Sequence, residues 1–169
     1  TTAQSSCIVR THCSVSANVA LAQAALAIFR DFPNCLEDPE ADCGLHRCGL
    51  MLVAPEGERA TALRETLALQ HRAGIPAQEI DAGEAQRIHP LLNLDDNPVI
   101  GWEPGAGYAD AYMTLSAYAR AARRRGATLR EGVAVTGLVR DGARVTGVET
   151  THGPIAAGVV VRAQNIWSR

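Results

Sequence analysis

Val133-Ala134-Val135-Thr136-Gly137-Leu138-Val139-Arg140, then Asp141-Gly142, then Arg144-Val145-Thr146-Gly147-Val148-Glu149-Thr150 is the stretch that decides the fold. Side chains alternate along both runs with the period of a strand that buries one face, and Asp-Gly between two such runs is a strong hairpin signal. A second turn at His152-Gly153 leads to Ile155, and the chain then enters the continuous apolar run Val159-Val160-Val161. Such a run reads as a strand covered on both faces. Thr128 to Arg130 reads as a further strand, following a helix that Asp110 caps and Gly126 stops. Helix, strand, β-meander and all-Val strand predict an α/β sheet carrying a small antiparallel crossover, α+β overall.

Working toward the N-terminus, the helix after Asp110 is expected to bury Leu115, Ala119 and Ala122. Arg123-Arg124-Arg125 in its last turn reads as a solvated, dipole-favoured helix end rather than a nucleic-acid patch. Glu103-Pro104-Gly105-Ala106-Gly107 is a tight loop after a strand at Val99-Ile100-Gly101-Trp102. Leu91 to Pro98 is turn-like. Asp81-Ala82-Gly83-Glu84 forms a capping box for a short helix ended by His89-Pro90. Ile75 to Ile80 is a short strand, and Glu56 to Ala73 an amphipathic helix with Ala60, Leu63 and Leu67 on one face and Gly74 at its stop. Leu45 to Ala54 reads as a buried strand in which His46 is a sheet residue rather than a base. Ser16 is expected to cap an Ala-rich helix to Asp31, apolar nearly all round and stopped by Pro33-Asn34. Residues 1 to 15 read as a loop.

Composition removes whole mechanisms. The chain has 169 residues, 47% hydrophobic and 20% charged, with net charge −2, which places it among soluble globular chains with no broad basic footprint for nucleic acid. No apolar run approaches the ~20 residues that cross a bilayer. All 16 basic residues are Arg. Without Lys there is no G-x-x-x-x-G-K-[ST] loop, no Schiff-base lysine and no kinase-type strand lysine. Anions must be met by Arg forks, backbone N–H groups or helix N-termini.

Cys7, Cys13, Cys35, Cys43 and Cys48 make an odd number with no secretory segment ahead of them, which points to a reduced, cytoplasmic compartment. Cys43-Gly44-Leu45-His46-Arg47-Cys48 and the Cys7, His12, Cys13 group raise a metal-binding alternative, but neither has the paired C-x₂-C spacing of a zinc knuckle. Ordinary packing of the thiols is the simpler reading. The acid-free segment before Asp31, with Arg10 and Arg30, loosely resembles a mitochondrial transit peptide. The chain starts Thr-Thr and ends just after the apolar strand, so both ends read as cuts through a longer protein.

The order Gly107-Tyr108-Ala109-Asp110, the helix to Gly126, Arg130-Glu131-Gly132-Val133-Ala134-Val135-Thr136-Gly137-Leu138, Arg144-Val145-Thr146-Gly147-Val148 and Val159-Val160-Val161 resembles the FAD-dependent amine oxidoreductases of the D-amino-acid oxidase superfamily. Sarcosine oxidases of the beta-subunit type, glycine oxidases and dimethylglycine dehydrogenases belong to that group. Ser5-Ser6-Cys7-Ile8-Val9-Arg10-Thr11-His12 is similar to the loop lying against the flavin in the sarcosine oxidase branch. The resemblance implies a partial, Rossmann-like FAD-binding domain from residues 1–33 and 107–169, and a mixed-sheet substrate domain from residues 34–106. It implies FAD as cofactor and an amino acid or N-methyl amino acid as substrate. A hydride equivalent would pass to flavin, leaving an imine that water hydrolyses. It also implies partner subunits of a hetero-oligomer, and neither nucleic acid nor membrane.

Carried over residue by residue, the resemblance makes Val135 a backbone contact to the adenine side, and Ala163, Gln164 and Trp167 part of the segment near the pyrophosphate. Ser5, Ser6 and Cys7 would lie by the flavin. Arg10 would grip the substrate carboxylate, since a guanidinium fork binds it bidentately, and His12, two residues on, would share its face of an extended loop. The sequence departs from the pattern in four ways. It has no G-x-G-x-x-G unit, which elsewhere brings a helix N-terminus against the pyrophosphate. Cys7 stands where Gly or a basic residue is expected, and Cys13 where an aromatic is common. Arg162 replaces a small or polar residue. Two alternatives follow: a non-catalytic fragment unable to bind FAD, and a Cys/His metal-binding module.

Overall fold

A computed structural model describes residues 5–94 and 98–164. The chain divides into two compact units, residues 1–126 and 127–169. In chain order the first unit contains β1 (Ile8–Val9), α1 (Ser16–Arg30), α2 (Phe32–Leu36), β2 (Leu50–Ala54), α3 (Glu58–Arg72), β3 (Gln78–Ile80), α4 (Ala82–Ile88), β4 (Val99–Glu103), β5 (Gly107–Tyr108) and α5 (Ala111–Arg124). The second contains β6 (Val135–Asp141), β7 (Arg144–Thr150) and β8 (Ile155–Ala156). The α+β class holds. All described strand pairs are antiparallel, including those of the sheet expected to be mixed.

β4 is the central strand of the order β2-β4-β3, and its two faces build two different cores. Val99 joins Leu63 and Leu67 of α3, with Val19, Ala54 and Ile75, in one cluster. Ile100 points the other way, to Ile80 and Ala85, where Met51, Leu92 and Trp102 complete a second. Between Val99 and Glu103, on the α3 side, sits Gly101. A Cβ there would lie 3.1 Å from Leu63 Cδ1 and 3.4 Å from Leu67, so its absence lets helix and sheet approach. The third cluster packs Phe32 and Leu36 of α2 against Ala117 and Ala121 of α5, with Tyr118 edge-on to Phe32 at 5.4 Å.

Capping explains where several helices start. The Asp81 side chain accepts the Glu84 N–H at 2.7 Å and opens α4, and the Asp110 side chain accepts the Met113 N–H at 2.7 Å and opens α5. Gly74 and Gly126, at φ 75° and 86°, follow α3 and α5 as expected.

Several expectations are corrected. The segment 1–15 contains β1, which exists because β5 accepts it (Ile8↔Tyr108, Val9↔Gly107). Val15, not Ser16, is the N-cap residue of α1, without a side-chain bond, and Pro33 opens α2 rather than ending a long helix. Only Val19 and Leu26 of α1 are buried and Leu21 is 70% exposed, so the helix packs along a narrow stripe, not all round. On α5 the buried positions are Ala117 and Ala121, while Leu115 is half exposed: the small residues face α2 because its Phe and Leu fill the interhelical space. Arg124 is no simply solvated end; it donates to Asp38 at 2.8 Å and to the Leu36 carbonyl at 3.0 Å, while Arg125 meets Glu37.

Regular strand begins at Leu50 and Gln78, later than the apolar patterns suggest. Neither 128–130 nor 159–161 is a strand. Val159 and Val161 are 80% and 83% exposed, and among the described residues no strand takes up their ladder hydrogen bonds. The meander is as expected, β6-β7-β8. Its first turn is Gly142-Ala143, because Asp141 already pairs with Arg144, and Gly142 at φ 58° fills the position a II′ connection reserves for glycine.

Gly107 carries a sharper constraint. The bridge between His46 and Tyr108 runs beside the β1–β5 pair, and a Cβ on Gly107 would fall on the His46 carbonyl oxygen. Gly107→Ala is therefore expected to destabilise by about 2 kcal/mol or more, as overpacking against backbone does. Thermal unfolding followed by circular dichroism should show a midpoint lower by roughly 5 °C; an unchanged midpoint would refute this packing.

Candidate functional site

The loop before and through β1 is tied down at both ends. Ser5 Oγ accepts the Cys7 N–H at 3.0 Å, and the Cys7 carbonyl accepts the Ala109 N–H at 2.9 Å. Cys7 itself has φ 58°, in the left-handed region that favours glycine. Gly or a basic residue is expected at this place, and the backbone conformation gives a physical reason for the glycine. Ser6 and Arg10 are exposed. Arg10 lines a cavity of about 360 Å³ with Ser5, Cys7, Ala25, Leu26 and Phe29 of α1, and Thr114 of α5. The walls are mostly apolar and Arg10 is the charged residue among them.

At the other end of the loop a carboxylate is buried. Glu103, 3% exposed, accepts the Thr11 N–H at 2.8 Å and the Thr11 hydroxyl at 2.6 Å through Oε1. Its Oε2 accepts Gln70 Nε2–H at 3.1 Å. Gln70, fully buried on α3, turns its carbonyl Oε1 to His12 Nδ1 at 3.1 Å. The four side chains come from the loop, α3 and β4. Half-burial pushes the His12 pKa below the ordinary 6.5, the Gln70 hydrogen bond opposes this, Arg10 repels the imidazolium, and Glu103 attracts it. The balance keeps the ring neutral near pH 7.

The second unit carries a cleft of about 580 Å³ between β6 and the segment after the valines. Val135, Ala163 and Gln164 all line it, together with Gly137, Leu138 and Arg162. Its volume is that of a ligand site, and its lining mixes polar residues such as Thr136 and Gln164 with apolar ones. A cleft of this size would have room for the adenosine end of a dinucleotide, while the sequence contains no G-x-G-x-x-G turn for the pyrophosphate. Trp167 lies outside the described residues.

Ser5, Cys7 and Arg10 therefore share one cavity, Val135, Ala163 and Gln164 share another cleft, and His12 turns to α3. Among the described residues no group of three or more His, Cys, Asp or Glu is placed to hold a metal ion, and the cysteines are free thiols. Thr11, Gln70 and Glu103 escaped the sequence reading. The signal was present: Gln70 extends the Leu63, Leu67 stripe at i+7, and Glu103 extends the Val99, Gly101 alternation. Polar residues at two positions of apolar period mark a buried pair.

The profile of the FAD dependent oxidoreductase family (DAO) matches residues 1–169. Sarcosine dehydrogenase, mitochondrial, of Homo sapiens is 31% identical over 141 residues, 76% of this chain and 15% of its own length. Sarcosine oxidase subunit beta of Arthrobacter sp is 36% identical over 95 residues, 53% of this chain and 24% of its own. Glycine oxidase from Geobacillus kaustophilus superposes with TM-score 0.80 at 28% identity, covering 96% of this chain and 44% of that one. L-proline dehydrogenase from P.horikoshii superposes with TM-score 0.84 at 26% identity, covering 94% and 41%. The chain spans less than a quarter of the length of these curated relatives and less than half of these solved chains. It belongs to the DAO family of FAD-dependent oxidoreductases.

Proposed function

We propose that this chain is part of an enzyme that oxidises the C–N bond of an amino acid or N-methylated amino acid. The observation that carries this reading is Arg10, a guanidinium on an apolar cavity of about 360 Å³ in a chain of this family. The matched relatives include a sarcosine dehydrogenase and a glycine oxidase, proteins named for substrates of this kind. FAD, when bound, supplies the acceptor for a hydride equivalent from the C–H bond beside nitrogen, leaving an imine for water to hydrolyse.

Arg10 holds the carboxylate bidentately and so orients the carbon that reacts. The Ala25, Leu26 and Phe29 wall offers an apolar surface to the rest of the molecule. The substrate's ammonium group has no lone pair until it loses a proton, and His12, two residues from Arg10 and kept neutral by burial, is the proposed acceptor, its ring turned to α3 and outside the lining of the Arg10 cavity. Ser5, Ser6 and Cys7 would adjoin the flavin, and Val135, Ala163, Gln164 and Trp167 the nucleotide. Residues 1–33 and 107–169 would form the flavin part, and 34–106 the substrate part. Similarity to a sarcosine oxidase subunit beta supports partner subunits, and the free thiols support a reduced compartment such as the cytoplasm. No described helix is long and apolar enough to cross a membrane.

A second reading, that this chain by itself does not retain FAD, rests on the missing glycine-rich turn. Incubation with FAD and gel filtration separates the two: flavin absorbance eluting with the protein supports retention, and a colourless peak supports the second reading.

In the FAD-loaded enzyme, Arg10→Ala should lower kcat/KM for carboxylate substrates by about 10–100-fold, the worth of a charged hydrogen-bond pair, and spare decarboxylated amines. Equal losses on both would remove Arg10 from the carboxylate site.

Acid should also reveal His12. Its pKa is lower folded than unfolded, so between the two values the unfolded chain binds more protons and stability rises with pH. The contribution is complete above 6.5 and is lost as pH falls below it toward the folded value. Denaturant titrations of wild type and His12→Gln should diverge in slope across that window. Parallel curves would refute the depressed pKa.

A further inference from the structure

We infer that Glu103, acting through Gln70, fixes His12 as its Nδ1–H tautomer and leaves Nε2 as the ring's proton-accepting atom. The inference deepens the proposed role of His12 and rests on that reading only for what Nε2 does; the tautomer itself follows from the hydrogen-bond chain. A carboxylate is acceptor-only, so Glu103 Oε2 can face only the NH₂ of Gln70, as the 3.1 Å contact has it. That leaves the amide carbonyl pointing away from Glu103, 3.1 Å from His12 Nδ1. A carbonyl only accepts, so Nδ1 must carry the proton.

The amide cannot turn over cheaply. Flipping Gln70 would set its carbonyl against the carboxylate and its NH₂ against Nδ1, in a place where the side chain is wholly buried. Nor can Glu103 readily move, because Oε1 is held by both the N–H and the hydroxyl of Thr11, the residue next to His12. The charged groups that act on the ring are Arg10, which repels its cationic form, and Glu103, which attracts it. The bond to Gln70 engages Nδ1 and leaves Nε2 as the ring's other nitrogen. Glu103 and Gln70 are thus positioning residues: neither needs to touch substrate, and both decide which ring nitrogen does.

Long-range ¹⁵N–¹H correlation of ¹⁵N-histidine-labelled full chain tests this without turnover or FAD. Above the His12 pKa, Nδ1 should show the pyrrole-type shift and Nε2 the pyridine-type shift, the Nδ1–H form leading by about tenfold, the worth of one hydrogen bond. In Glu103→Gln the new amide can offer NH₂ to Gln70. Gln70 then flips, its NH₂ meets Nδ1, and the pyrrole-type signal should move to Nε2. His12 should titrate lower still, having lost the attraction of Glu103. Gln70→Met removes the carbonyl, keeps an unbranched chain of similar length, and should also abolish the Nδ1–H preference. An Nε2–H wild type, or a tautomer indifferent to both substitutions, overturns the proposal. Since the wild-type spectrum is decisive alone, misfolding of a variant does not blunt the test. Full turnover by His12→Gln, beside a wild-type spectrum of the Nδ1–H form, would overturn the functional reading and leave this one standing.

Discussion

An ionised carboxylate with 3% exposure has given up its hydration, a cost of several kcal/mol for any ion removed from water. Glu103 replaces that water with three neutral donors: a backbone N–H, a hydroxyl and an amide. Each is charge-assisted and therefore stronger than a neutral pair. The donors come from two places far apart in sequence, the loop at Thr11 and the helix at Gln70. Removing any donor leaves charge exposed to an apolar interior, so the loop, α3 and β4 are held to one arrangement. The loop residues proposed for chemistry inherit their position from that demand.

The same demand explains why the site sits at the edge of the main core. The face of β4 that begins with Val99 passes Gly101, where α3 comes closest, and ends at Glu103. The face of α3 that carries Leu63 and Leu67 ends at Gln70. Helix and strand stay in register along their length, so the two polar residues meet where the apolar contacts stop. Packing sets the spacing, and the spacing lets an amide bridge a carboxylate and an imidazole. Had Gly101 carried a side chain, the helix would stand off and the bridge would lengthen.

Local chemistry was legible in the sequence. The Asp81 and Asp110 caps, the glycines after α3 and α5, and the meander between residues 135 and 156 depend on residues a few positions apart, and each forms where its motif puts it apart from a one-residue shift of the first hairpin turn. What depends on a distant partner was not. The phase of α5 is chosen by Phe32 and Leu36, which sit on another helix. Two residues of β1 become a strand because β5 lies alongside, whereas three consecutive valines do not, for want of a described neighbour. Arg10 was found through a resemblance and not through pattern. Thr11, Gln70 and Glu103 were readable in principle, since polar residues interrupt two apolar periods, but only pairing the helix with the strand gives the interruption a meaning.

The Thr11–Glu103 contact joins residues 92 positions apart. Bringing such distant segments together costs chain entropy that grows with the logarithm of the enclosed loop, and the reward arrives only once both ends are in place. β4 has nearer partners in β3 and β2, with α3 lying between them in sequence, so these can assemble before the N-terminal segment docks. The proposed chemistry would then be among the last features of the first unit to form. Its arrival would report that the scaffold beneath is complete, which makes the imidazole environment a natural clock for the end of folding.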